Sequence, residues 1–394
     1  MTLPSSVPFT RRGLLTGALG TGALLALPTP AAAEAAEAIG TVGTGLRLPP
    51  PTGRFRVGTT VAHLVDSSRP DPFAPVPQAR ELMVQAWYPA TVPPGCRTAA
   101  YLAPATAAVI GPDFGIPPDL LSSLRLPAAV DAPPRRRPGG YPVVLFSPGL
   151  GLARSSCTSL VTDLASHGYV VIAIDHTYDS HAVEFPDGRV VVRAVDEGGD
   201  PSVKSGYVAV RSADARFIAD QLRRPGGDRH WRTVRAVADV GRLGMAGHSI
   251  GGATAADVLQ RDARFTAGVD LDGSIYDPAA DRPTHQPFLL LGGDYHHRGN
   301  DFTWARFWAG LTGWHRDLGV TGLGHYDLTD FRPFADQLGL TGGVPPEIFG
   351  PIGGERALTV VRVYLRAVFD LHLGGTGGDL FDHPSARYPE AVLR

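Results

Sequence analysis

The segment that restricts the fold most is Gly247-His248-Ser249-Ile250-Gly251, which follows the apolar run Leu243-Gly244-Met245-Ala246 and precedes Gly252-Ala-Thr-Ala-Ala-Asp-Val-Leu259. The pattern G-x-S-x-G asks for a strand that turns sharply into a helix. Glycine is needed on both sides of the serine because a side chain there would collide with neighbouring backbone. Such a turn presents the Ser249 hydroxyl above the edge of a sheet. Residues 242–247 accordingly read as a buried strand and the residues after Gly252 as the start of a helix. With 48 glycines in the chain the pentapeptide could arise by chance, so its flanks carry the reading. They point to a serine nucleophile.

Other apolar runs repeat the same alternation. Residues 55–65 and 81–88 read as two early strands. Residues 90–140 are rich in Pro, Gly and Ala, with little periodicity outside 120–126, and read as a cap-like insertion. Residues 141–147 and 168–175 are short continuous apolar runs separated by a helical stretch at 153–167, which makes one βαβ unit. Val208, Ala213, Phe217, Ile218 and Leu222 recur at helical spacing. Further strands are expected at 266–272, 287–292 and 317–322, with helices around 304–311 and over 358–373. Continuous apolar strands alternating with helices imply an α/β fold with a mostly parallel central sheet covered on both faces.

The N-terminus carries Arg11-Arg12, a modest apolar stretch to Leu27, and Ala31-Ala32-Ala33. Residues 1–33 therefore read as a twin-arginine export signal with an A-x-A cleavage site, and 34–394 as a single domain. The expected location is extracellular. The apolar stretch is broken by Gly and Thr and is too short for a bilayer span. A hydrophobic content of 43% supports a sizeable core, and a formal net charge of −2 gives no reason to expect nucleic acid as a partner. The two cysteines, Cys96 and Cys157, could bridge after export or remain separate thiols.

A serine hydroxyl is a poor nucleophile at neutral pH. Ser249 needs an imidazole to take its proton and a carboxylate to orient that imidazole. In folds with this elbow the chain order is serine, acid, histidine. His325, in Gly322-Leu-Gly-His325-Tyr-Asp, follows the last expected strand and falls at the carboxyl edge where Ser249 points. His315 should lie at the opposite edge, and His372 and His383 belong to the C-terminal helix and tail. Three carboxylates end strands: Asp270, Asp272 and Asp294. Order alone slightly favours Asp294. His296 and His297 lack a metal-binding frame, so neither a metal nor another cofactor is expected. His248 reads as a packed elbow residue and His176 as a pocket-lining one. The loop Ser147-Pro148-Gly149-Leu150-Gly151 follows a strand, and the N–H groups of Leu150 and Ile250 are the expected oxyanion donors.

Several segments together resemble the plasma-type platelet-activating-factor acetylhydrolase family of the α/β-hydrolase superfamily. They are Val144-Leu-Phe-Ser-Pro-Gly-Leu-Gly151, Asp163-Leu-Ala-Ser-His-Gly-Tyr-Val170, Gly247-His-Ser-Ile-Gly-Gly-Ala-Thr254, Arg264-Phe-Thr-Ala-Gly-Val-Asp-Leu-Asp-Gly273 and Gly324-His-Tyr-Asp-Leu-Thr-Asp-Phe331. The resemblance implies Ser249 as nucleophile, His325 as base, Leu150 and Ile250 as oxyanion donors, and Asp272 rather than Asp294 as acid. It implies a secreted bacterial serine esterase acting on short acyl groups, such as those at the sn-2 position of modified phospholipids. Pro148 stands where many members have histidine, and Asp272-Gly-Ser replaces the family's D-A-W. A carboxylesterase or polyester hydrolase is the alternative, and a non-catalytic binding module the remote one. The expected partner is a small or lipid ester, with Phe114, Leu120, Leu121 and Leu124 as a candidate lipid-facing surface set against an ordinary packed cap.

Overall fold

The computed structural model describes residues 45–196, 198 and 200–394. The expected export signal lies outside the described residues. Strands β1 (Val57–Pro70) and β2 (Ala79–Pro89) pair antiparallel. The segment expected as a cap forms β3 (Thr98–Ala100), α1 (Pro104–Asp113), α2 (Pro118–Ser123) and β4 (Arg125–Val130). Next come β5 (Tyr141–Ser147), α3 (Thr158–Ser166), β6 (Val170–His176) and the hairpin β7 (Ala182–Glu184) with β8 (Val190–Val192). They are followed by α4 (Pro201–Arg223), α5 (Arg229–Arg235), β9 (Ala238–His248), α6 (Ile250–Arg261) and β10 (Phe265–Leu271). The chain closes with β11 (Phe288–Gly292), α7 (Phe302–Ala309), β12 (His315–Val320), α8 (Phe331–Leu338), α9 (Gly354–Phe369) and β13 (Ala391–Leu393).

The main sheet has 11 strands in the order β13-β12-β11-β10-β9-β5-β6-β2-β1-β4-β3. Its middle, from β12 to β6, is parallel throughout. Every residue of β5 and β6 is buried, as expected of strands covered on both faces. Side chains alternate between two cores: Val144 and Phe146 join one, Val143 and Leu145 the other. Helix α9 packs Leu358, Val361 and Leu365 on the first face, while α4 and α6 bring Ile218 and Val258 to the second. Because the central strands run the same way, the ends of β5, β9, β10, β11 and β12 deliver their loops to one edge.

Two expectations change shape. Within residues 90–140, β4 pairs parallel with β1 and β3 antiparallel with β4, so the segment lengthens the sheet. Leu121 and Leu124 are buried there, Leu120 packs partly buried against the first core, and Phe114 stacks on Phe331 at 3.9 Å. Leu121 and Leu124 thus belong to the core, and Phe114 and Leu120 are half-buried at its edge. Short elements interrupted by proline, with Pro112 inside α1, hid this order from periodicity. Both cysteines are free: Cys157 is buried in the first core and Cys96 packs against the second. Among the described residues no helix is long and apolar enough to cross a membrane. Leu121 is fully buried, so Leu121→Ala should cost about 2–5 kcal/mol in chemical denaturation. A loss near zero would show that the segment does not belong to the core.

Candidate active site

Ser249 caps α6 with φ 56° and ψ −129°, a left-handed conformation that costs on the order of 1–3 kcal/mol for a residue with a side chain. Neighbouring backbone forces it. A Cβ on Gly247 would lie 2.2 Å from the Gly251 carbonyl, one on Gly251 would lie 2.0 Å from the Ser147 oxygen, and one on Gly273 would lie 1.9 Å from the Ser249 oxygen. Three strand ends thus close on one turn, and no side chain larger than hydrogen fits between them. The Ser249 N–H is tied to the Leu271 carbonyl at 2.8 Å. As the first residue of α6, Ile250 has an N–H without an intrahelical partner.

One residue past β10, Asp272 also adopts positive φ, 63°, and its N–H donates to the Leu291 carbonyl at 2.8 Å. His325 follows β12, where its N–H donates to Glu347 O (2.8 Å) and the Tyr326 N–H to Ile348 O (2.9 Å). His325 Nδ1 meets Asp272 Oδ2 at 2.5 Å. With Nδ1–H given to the carboxylate, Nε2 is the ring's bare nitrogen, able to take a proton. His248 braces this loop from the elbow: its Nε2–H donates to the His325 carbonyl at 2.9 Å, and the rings lie 4.5 Å apart. Burial, then the nearby His325, pushes the His248 pKa down to about 3, so it is neutral and serves as a brace.

The remaining candidates lie elsewhere. Asp270 is fully buried, accepts the Gly273 N–H at 2.9 Å, and is pushed by burial well above the usual carboxylate range. Asp294 accepts the Gly322 N–H at 2.7 Å and braces the turn after β12. His315 opens β12 at the opposite edge, and His372 packs on Trp314. His297 accepts the Gly299 N–H. His296, set aside on sequence grounds, stands at the site: its Nδ1 lies 3.2 Å from Asp272 Oδ1, and its Nε2 is 2.7 Å from Asp301 Oδ2. Burial opposes charge on this ring, but Asp272, then Asp301, outweighs it and raises its pKa to about 10. Asp272 is held well below the usual range, because the charge and hydrogen bonds of His296, joined by His325, overcome its burial. Among the described residues no cluster of three or more His, Cys, Asp or Glu is arranged to hold a metal ion.

Beneath the loop after β5 lies a buried polar network that the sequence did not reveal. Arg211 donates to the Pro148 carbonyl at 2.6 Å and the Gly149 carbonyl at 3.1 Å, and pairs with Asp179 through Nε at 2.6 Å. In a trans peptide the C=O and the following N–H point opposite ways. Holding the Gly149 carbonyl on Arg211 therefore turns the Leu150 N–H out of the network. His176 does not line a pocket. It is fully buried, accepting from Ser147 Oγ at 2.9 Å and giving Nδ1–H to Asp214 at 2.9 Å. Ser147, His176 and Asp214 form a hydrogen-bonded serine-histidine-aspartate array with no exposure to solvent.

Fold and site define a serine carboxylic-ester hydrolase of the α/β-hydrolase class. Residues 116–186 and 225–338 match the family model of platelet-activating factor acetylhydrolase, isoform II. A probable 1-alkyl-2-acetylglycerophosphocholine esterase of Arthroderma benhamiae is 29% identical over 88% of this chain and 93% of that protein. The platelet-activating factor acetylhydrolase of Cavia porcellus is 24% identical over 62% of each. Among solved structures, a ferulic acid esterase from Streptomyces cinnamoneus matches with TM-score 0.77 and 37% identity, covering 89% of this chain and 99% of that one. Over these segments the chain is similar to the platelet-activating factor acetylhydrolase, isoform II, family, on an α/β-hydrolase fold.

Arg211 and Asp179 are both fully buried, so removing one partner leaves the other charged and unpaired. Arg211→Met should destabilise by about 3–5 kcal/mol. Arg211→Met with Asp179→Asn should recover part of that loss in urea titrations. Equal stability of the two variants would contradict the pairing.

Proposed function

We propose that this protein hydrolyses short-acyl carboxylic esters through an acyl-enzyme on Ser249. His325, oriented by Asp272, takes the Ser249 proton as the hydroxyl attacks the ester carbonyl. The tetrahedral oxyanion is received by the N–H groups of Leu150 and Ile250. His325 then delivers the proton to the leaving alcohol, and water, deprotonated by the same ring, releases the acid. The observation that carries this reading is the 2.5 Å contact between His325 Nδ1 and Asp272 Oδ2, on a loop braced against the elbow by His248. Arg211 supports the Leu150 assignment, since its grip on the Gly149 carbonyl fixes the direction of the adjoining N–H.

The substrate class we favour is an sn-2 short-acyl glycerophospholipid or a related simple ester. Its support is the family and the relative named as an acetylglycerophosphocholine esterase. A second reading, an aryl or broad carboxylesterase, is favoured by the ferulic acid esterase that matches along its full length. We propose export through the Arg11-Arg12 signal, consistent with action on extracellular esters.

Ser249→Ala and Asp272→Asn should each lower kcat on the order of 10⁴-fold, while Asp294→Asn should stay near the parent. Activity lost in Asp294→Asn but kept in Asp272→Asn would reverse the assignment of the acid. For substrate class, kcat/KM should fall as the acyl chain lengthens from acetyl across p-nitrophenyl esters and 2-acyl glycerophosphocholines. A preference for methyl ferulate over every acetyl ester would favour the second reading.

A further inference from the structure

We infer that His296, clamped as an imidazolium between Asp272 and Asp301, is a positioning residue that fixes the Asp272 carboxylate and sets the acidic limit of the reaction. The inference rests on the assignment of Asp272 and His325 given above.

Geometry alone argues for the charge. His296 Nε2 is hydrogen-bonded to Asp301 Oδ2 at 2.7 Å, and Nδ1 stands at ion-pair distance, 3.2 Å, from Asp272 Oδ1. A neutral imidazole has one bare nitrogen, whose lone pair would point at an anion. Only the doubly protonated ring satisfies both sides. Further contacts hold the array in place. Asp301 caps α7 through the Thr303 N–H at 2.7 Å and accepts from Ser274 Oγ at 2.6 Å. Trp304 packs its ring 4.4 Å from the His296 ring and donates Nε1–H to the Gly273 carbonyl at 2.6 Å. Asp272 itself sits at positive φ, where its own backbone geometry gives the carboxylate no ordinary helix or strand setting. The clamp supplies the orientation: one oxygen to His296, the other to His325.

The same arrangement has an electrostatic effect. A cation beside Asp272 shares its charge, so a second cation at His325 is less favoured than it would be next to an isolated carboxylate. The other groups facing the array do not supply this charge. His248, from β9, is neutral, and Asp270, from β10, is buried beside Gly273, where burial pushes its carboxyl well above the usual range. Tyr326 packs edge-on to His325 at 5.5 Å, and Asp294 is engaged with the Gly322 N–H.

The test uses the full chain. In His296→Asn the amide can replace Nδ1–H toward Asp272 but carries no charge. The acid limb of kcat/KM for p-nitrophenyl acetate should move up by roughly one pH unit, with any loss on the alkaline plateau falling on kcat and not on KM. His296→Gln also removes the charge and should move the limb in the same direction, which keeps the test available if the first variant folds poorly. In the parent, 15N NMR at pH 8 should show both His296 nitrogens protonated. A neutral His296 at that pH, or an unmoved acid limb in folded variants, would overturn the inference. Full activity in Asp272→Asn would instead remove the underlying assignment, so the two failures are distinguishable.

Discussion

The approach of three strand ends at a single turn is the constraint on which the site depends. Glycine at 247, 251 and 273 lets the backbone of β9, the loop after β5 and the turn after β10 come within distances that a methyl group would block. That contact holds Ser249 in its left-handed conformation and brings the loop that carries Leu150 against the start of α6, where Ile250 lies. It also sets Asp272 one strand away from the elbow. The parallel sheet makes this possible, because strands running the same way bring their carboxyl ends to one edge. The strain at Ser249 and Asp272 is carried by the buried, regular strands below.

A buried set of serine, histidine and aspartate lies beneath the candidate site, and burial sets it apart from Ser249, Asp272 and His325. Ser147, His176 and Asp214 have no solvent access, and burial together with the Arg211 charge lowers the affinity of His176 for a proton. That array links Arg80 and Arg211 beneath the loop after β5, and its product is a fixed loop conformation. Ser249 instead stands at an elbow, with His325 and Asp272 delivered from two other strand ends. The same residue types act as scaffold in one place and as candidate chemistry in the other.

Much of this was legible in the sequence, for identifiable reasons. Buried parallel strands read as continuous runs, so Val143 to Phe146 and Val170 to Ile174 announce themselves. The elbow is marked by its glycines. By contrast, Asp272 and Asp294 each follow a strand, and nothing in their order shows that one meets His325 while the other accepts the Gly322 N–H. The roles of Arg211, Asp179 and His296 were hidden because their partners are distant in sequence or separated by irregular loop, where no periodicity applies. Strands β3 and β4 were lost among prolines for the same lack of pattern.

The central claim is that Ser249 alone becomes the acyl carrier. Labelling the folded protein with a fluorophosphonate at pH 8, followed by peptide mass mapping, tests it most directly. The account predicts one adduct per chain, on the peptide containing Ser249, and none after Ser249→Ala. An adduct on Ser147, or labelling that persists in the alanine variant, would contradict it.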